Sequence, residues 1–228
     1  MSGIWEEVGY VQNVTGQENN GVITLAVPTS KLYLLEHREV YQARVIFDDE
    51  RHITSEQRNA IFATIGDIFA HTGQPIIDIE HFFKLKLLFE NDIEYFTFST
   101  KGDKPFPICD ITTANLYLHN LIEYCLREDI QTHESLLERA PDTSAYLYAC
   151  LIHKKCPVCQ LLGELHHVDA IGSAYRKSTV HIGREAICLC RKHHDEAHTL
   201  GKLSFDKRYN VFGIKIDKTI AKKYSLSK

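Results

Sequence analysis

No run of apolar residues in this 228-residue chain approaches the length of about 20 that a bilayer-spanning helix needs, so a transmembrane protein is not expected. The first residues, Met-Ser-Gly-Ile-Trp-Glu-Glu, lack both a basic n-region and an apolar h-region, which argues against a signal peptide and for a cytoplasmic protein. Internal repeats and low-complexity segments are absent, which excludes solenoids and arrays. No Gly/Ser-rich linker separates the parts, so the domains are expected to pack rather than hang on a tether. The seven cysteines are an odd number, and four sit in or next to metal-ligand spacings, which argues against a disulfide framework. Cys109, Cys125 and Cys150 lie in apolar surroundings and read as buried free thiols.

What is present is unevenly distributed. The net charge of −4 conceals an acidic part and a basic part. Residues 1–150 hold 11 Lys+Arg against 23 Asp+Glu, net −12, and residues 151–228 hold 15 against 7, net +8. A nucleic-acid footprint is therefore expected on the C-terminal part. The alternative is that basic and acidic faces simply pair with each other.

The pattern along the chain is α+β. Residues 20–27 and 40–47 have strand composition. Thr54 with Gln57 forms a capping box, followed by Ala60, Ile61, Thr64, Ile65, Ile68 and Phe69 at helical spacing, with Gly73 and Pro75 as the stop. A second helix is expected from Asp78 to about Glu90, a strand over 94–99, and a third helix from Thr112 or Thr113. Residues 133–153 read as one or two helices broken at Pro141, and a short helix and a strand over 211–216 are expected in the tail. The domain boundary is placed at 140/141, giving domains 1–140 and 141–228.

Chemistry is concentrated near the C-terminus. Cys156-Pro-Val-Cys159 and Cys190-Arg-Lys-His193 have the spacing of a closed tetrahedral structural zinc site. Cys188 stands next to this set, and Cys190 is preferred because Cys188 is expected on the opposite face of a strand. A second set interleaves with the first: His166-His167, then His194 and His198, four apart and hence on one face of a helix. Adjacent residues of an extended segment point opposite ways, so one of His166 and His167 ligates an ion and the other is free to act as a base. Three imidazoles leave coordination positions open for phosphate oxygen and water.

This arrangement resembles the HNH, or ββα-metal, endonucleases over about residues 154–200. Glu164-Leu-His-His-Val-Asp169 is similar to the family's first strand, and the stretch from Arg184 to His198 to its second strand and helix. The resemblance implies His167 as general base and His166, His194 and His198 as holders of one catalytic divalent ion (Mg2+, Mn2+, Ni2+ or Zn2+), beside a structural Zn2+. The family's central Asn, which braces the loop carrying the base, corresponds to Glu185. His181, in the inserted stretch 170–183, is a candidate to take over that bracing. Arg176, Lys177 and Arg191 are expected on phosphate; the competing reading is solvated charge.

His52 to Asp67 resembles the signature helix of the lambdoid Orf (NinB) recombination mediators, and the likeness extends over roughly residues 40–130. It implies single-stranded DNA binding, a homodimer, a host single-strand-binding protein as partner, and a phage-encoded protein in the host cytoplasm. The expected fold is thus a mixed α/β Orf-like N-terminal domain plus a zinc-stabilised ββα-metal module. The expected function is a metal-dependent endonuclease for single-stranded or branched DNA in phage recombination or replication. A non-catalytic DNA-binding mediator with a degenerate nuclease module is the second reading, and Glu185 is what leaves room for it.

Overall fold

The computed structural model describes residues 10–17, 20–27, 51–99, 106–168 and 181–226. The chain divides into two units, Met1–Asp48 and Asp49–Lys228. In the first, β1 (Tyr10–Gln17) pairs antiparallel with β2 (Asn20–Ala26), with Tyr10 opposite Ala26 and an irregularity between Val11 and Asn13. The expected strand over 40–47 lies outside the described residues.

The second unit begins with helices whose ends are written in the sequence. Helix α1 (Ser55–Thr72) starts at the Thr54–Gln57 box, with the Gln57 N–H donating to Thr54 Oγ1 at 3.1 Å and the Thr54 N–H to Gln57 Oε1 at 2.9 Å. Such a cap is worth about 1 kcal/mol. It ends at Gly73, whose φ of +73° is the left-handed conformation that glycine adopts without a Cβ clash. Ile61, Thr64, Ile65 and Ile68 are buried as the spacing predicts, whereas Phe69 at the rim stays 45% exposed. Helix α2 (Ile76–Asn91) starts directly after Pro75, two residues before the expected Asp78. Helix α3 (Ile111–Arg127) is capped by Asp110, which accepts from the Thr113 N–H at 2.9 Å, so the helix starts one or two residues before the expected Thr112 or Thr113.

The expected strand over 94–99 does not form; Thr97 makes only an isolated parallel bridge with Ile108. Tyr95 and Phe96, adjacent in sequence, both lie against the Lys84 ammonium, which the alternation of a regular strand does not allow. That ammonium is buried, paired with Glu80 at 2.5 Å, and lies 4.7 Å from the Phe98 ring and 5.3 Å from those of Tyr95 and Phe96. The aromatic composition that imitates a strand covers a buried cation.

After α4 (Leu136–Arg139) and Pro141, α5 (Thr143–His153) is capped by Asp142 and leads into the CxxC turn. Then come β3 (Glu164–His167), β4 (Glu185–Leu189), α6 (Arg191–Leu200), α7 (Lys202–Tyr209), β5 (Ile214–Lys215) and α8 (Lys218–Lys223). The strands form one antiparallel sheet in the order β3-β4-β5, with His166 opposite Ile187 and His167 opposite Ala186. Strand β4 is buried on both faces. Ile187 and Leu189 join the main core with Ile61, Tyr117 and Leu147, while Ala186 and Cys188 join a second cluster with Leu151, Ile216 and Ile220. Each fully buried aliphatic side chain contributes roughly 1.5–3 kcal/mol. Residues on both sides of 140/141 therefore share one core. Gly163 is required where the CxxC turn meets β4, because a Cβ there would lie 2.8 Å from Cys188 Sγ and 2.9 Å from the Leu189 carbonyl carbon.

The structure is a mixed α/β fold with small sheets, and among the described residues no helix is long and apolar enough to cross a membrane. All seven cysteines are free. Burial pushes the Cys109 and Cys125 thiols up to about 12 and that of Cys150 well above the usual range, as befits core thiols.

Candidate metal centres and catalytic site

The CxxC turn and the start of α6 converge on one point. Lys155 bridges Leu162, and the Cys156 N–H donates to the Leu161 carbonyl at 2.8 Å, folding the turn so that both cysteines face α6. Cys190 ends β4 and caps α6; His193 is on that helix's buried side. The ligand atoms of Cys156, Cys159, Cys190 and His193 all lie within 4.8 Å of one another. His193 Nδ1 is 3.4 Å from Cys156 Sγ and 3.3 Å from Cys190 Sγ, and the Sγ atoms of Cys159 and Cys190 are 3.5 Å apart. The edges of a zinc tetrahedron with three sulfurs and one nitrogen are about 3.5–3.8 Å, from zinc–ligand bonds of ~2.3 and ~2.0 Å. This donor set fits a closed zinc site.

Cys188 is excluded from the set, for a different reason than the sequence suggested. Positions two apart lie on the same side of a continuing strand. The chain leaves β4 at Leu189, so Cys190 turns toward the cluster while Cys188 stays in the second core beside Ile216 and Ile220. Tyr209 was not singled out from sequence. Its ring packs against His193 at 5.3 Å and its hydroxyl donates to Glu196, supporting the cluster imidazole from outside the motif. No local pattern signals this contact.

The second set assembles on the other side of α6. His166 from β3 meets His194 and His198 with ring centroids 4.6 and 4.9 Å away, and His194 and His198 are 4.7 Å apart. Their ligand nitrogens lie within 4.8 Å of one another. His194 Nδ1 is buried without a hydrogen-bond partner, a costly state for an imidazole that a metal bond would relieve. Burial, then the neighbouring His194, His198 and His167, lowers the His166 pKa to about 4, so it is neutral and able to ligate at physiological pH. An open three-histidine ion site fits these residues.

His167 points the other way, as alternation in β3 requires. Its ring lies against that of His181, centroids 5.0 Å apart and tilted by 31°. Burial, then His181 and Arg184, holds its pKa below the usual histidine range. A neutral imidazole beside, but not in, a metal cluster is suited to accept a proton. Glu185 does not brace this residue through its side chain: its Oε2 accepts from Lys202 Nζ at 3.1 Å. Its main chain does contribute, the carbonyl accepting from the Val168 N–H at 3.0 Å. Arg191 is exposed at the N-terminal end of α6 and pairs with Asp195 at 3.1 Å, on the same face as His194 and His198. Arg176 and Lys177 lie outside the described residues.

Two antiparallel strands followed by a helix, with a Cys3His cluster that could bind zinc on one side of that helix and three histidines on the other, define an HNH nuclease module. The family model described as "Putative HNHc nuclease" matches residues 24–227, and the chain belongs to that family. No curated protein and no solved structure matches it significantly.

Proposed function

We propose that the protein is a metal-dependent DNA endonuclease that hydrolyses phosphodiester bonds in single-stranded or branched DNA during phage recombination or replication. The observation that carries this reading is the split at the end of β3: His166 faces His194 and His198, while its neighbour His167 faces away from them. In this reading His167 is the general base. It takes a proton from water, the water oxygen bonds to phosphorus, and the 3′-oxygen leaves with the electrons of the broken P–O bond. A divalent ion held by His166, His194 and His198 would supply positive charge against the phosphate and the leaving oxygen. Cys156, Cys159, Cys190 and His193 hold a structural zinc that fixes α6 against β3 and β4. Arg191, with Arg176 and Lys177 from the stretch between the strands, contacts phosphate, in keeping with the net +8 of residues 151–228.

Residues 1–140 serve, in this proposal, as an Orf-like part that binds single-stranded DNA, dimerises and meets a host single-strand-binding protein in the cytoplasm. Residues 141–228 do the chemistry. The 140/141 division is one of roles, since both sides share a core.

The pairing of Glu185 with Lys202 favours a second reading, a DNA-binding mediator whose nuclease module is inactive. Incubation with supercoiled, branched and single-stranded DNA under Mg2+, Mn2+, Ni2+ or chelator separates the two. The endonuclease reading requires cleavage with at least one metal and its loss in His167→Ala.

A further inference from the structure

The residue that completes the base lies outside the family's motif. A general base must hold its second ring nitrogen on a partner, because that contact selects the tautomer whose lone pair faces the water. His167 Nδ1 is buried and has no hydrogen-bond partner, and the same is true of His181 Nδ1. The two rings face each other, centroids 5.0 Å apart, and each carries one enclosed nitrogen without a protein partner; a neutral imidazole offers one donor and one acceptor nitrogen.

Both rings are set by the backbone. His167 pairs with Ala186, and the next N–H, of Val168, is held by the Glu185 carbonyl. His181 opens a turn in which its carbonyl accepts from the Arg184 N–H at 3.2 Å. That turn is clamped to the edge of the sheet, where the Gly183 N–H donates to the Ile216 carbonyl and the Ile216 N–H to the Arg184 carbonyl, each at 2.8 Å. Glu185, at the motif's bracing position, is engaged with Lys202.

The geometry points to His181 as the positioning residue of the site: it accepts the His167 Nδ1 proton through a bridging water and leaves His167 Nε2 unprotonated toward the phosphate. When Nε2 takes the proton of the attacking water, the positive charge formed on His167 is shared with His181. The inference rests on the endonuclease reading for its purpose, but the pairing is observable without turnover.

The test uses the full chain with His181→Phe, which keeps a stacked ring and removes both nitrogens, and His181→Asn, which restores an acceptor. Nitrogen-15 spectra of histidine-labelled protein at a fixed pH of 8 report the His167 tautomer. The wild type and His181→Asn should show the Nδ1–H form, and His181→Phe a shift toward Nε2–H. In cleavage, kcat should fall on the order of 10–100-fold in His181→Phe with KM unchanged and recover in part in His181→Asn. Metal affinity of the three-histidine site should stay within about twofold. An unchanged tautomer in His181→Phe overturns the inference, as does a tenfold loss of metal affinity in His181→Asn, which would make His181 a ligand. Absence of cleavage by the wild type would sink the endonuclease reading alone.

Discussion

The imidazole of His166 stands edge-on to that of His194, ring centroids 4.6 Å apart and planes at 89°. The contact joins the end of β3 to the middle of α6 with no apolar side chain between them. Clustered imidazoles stripped of part of their water repel protonation, and an ion is the natural occupant of the space they enclose. Incubated with Zn2+ or Co2+ and desalted, the chain should retain two ions, and His194→Ala should retain one, read by native mass spectrometry. The melting temperature of His194→Ala should change by less than about 3 °C, because the cluster is peripheral to the core. Two ions on His194→Ala would contradict the assignment.

The Cys3His site should behave in the opposite way. An ion held there would join the CxxC turn, β4 and α6, so its binding energy would be folding energy. Cys190→Ser, or removal of the ion with a strong chelator, should lower the melting temperature by more than about 10 °C by circular dichroism. Cobalt at this site should give thiolate charge-transfer absorption that Cys190→Ser weakens.

Helix α1 is tied to the end of α4 and to the segment before it by a buried ionic group. Asp67 Oδ2 is 2.6 Å from Arg139 Nη1, and Asp67 Oδ1 is 2.6 Å from His133 Nδ1. Burial pushes the Asp67 carboxyl up, but His133 and Arg139 together outweigh it and hold it below the usual carboxylate range. A folded-state pKa below the unfolded value of about 3.9 means that the contribution is complete above that pH and is lost as pH falls through the folded value. Asp67→Ala should cost about 3 kcal/mol near pH 7, since it leaves Arg139 buried without its main partner. Urea unfolding at pH 7, 5 and 3 should show the gap between wild type and variant shrinking toward acid. A gap independent of pH would exclude the ionic account.

The Glu185–Lys202 contact is half-exposed, with side chains 39% and 43% accessible, and such pairs contribute about 1 kcal/mol or less. Glu185→Ala should therefore leave stability within that range and kcat within about threefold. A loss of 100-fold would return the bracing role to this position.

The parts readable from sequence were those encoded by neighbours. The Thr54–Gln57 cap, Gly73, the local pairs Cys156/Cys159, Cys190/His193 and His194/His198, and the opposite facing of His166 and His167 follow from spacings of one to four residues. Most misread parts depended on distant partners. Tyr95, Phe96 and Phe98 have strand composition, yet they cover Lys84 from a helix more than ten residues earlier. The start of α3 was a local misreading: the helix begins at Ile111, ahead of Thr112 and Thr113, because the Asp110 carboxylate accepts from the Thr113 N–H. The Asp67–Arg139 pair spans 72 residues and has no local signature. His181 was visible from sequence as a bracing candidate in the insertion; its ring contact with His167 required the turn to be seen clamped to Ile216.

The most direct measurement is cleavage of supercoiled plasmid and of branched and single-stranded DNA by the wild type and His167→Ala, across Mg2+, Mn2+, Ni2+, Zn2+ and chelator. Products should appear with at least one divalent metal, vanish with chelator, and fall at least 100-fold in His167→Ala while both ions stay bound. Cleavage that persists in His167→Ala, or none with any metal, would contradict the account.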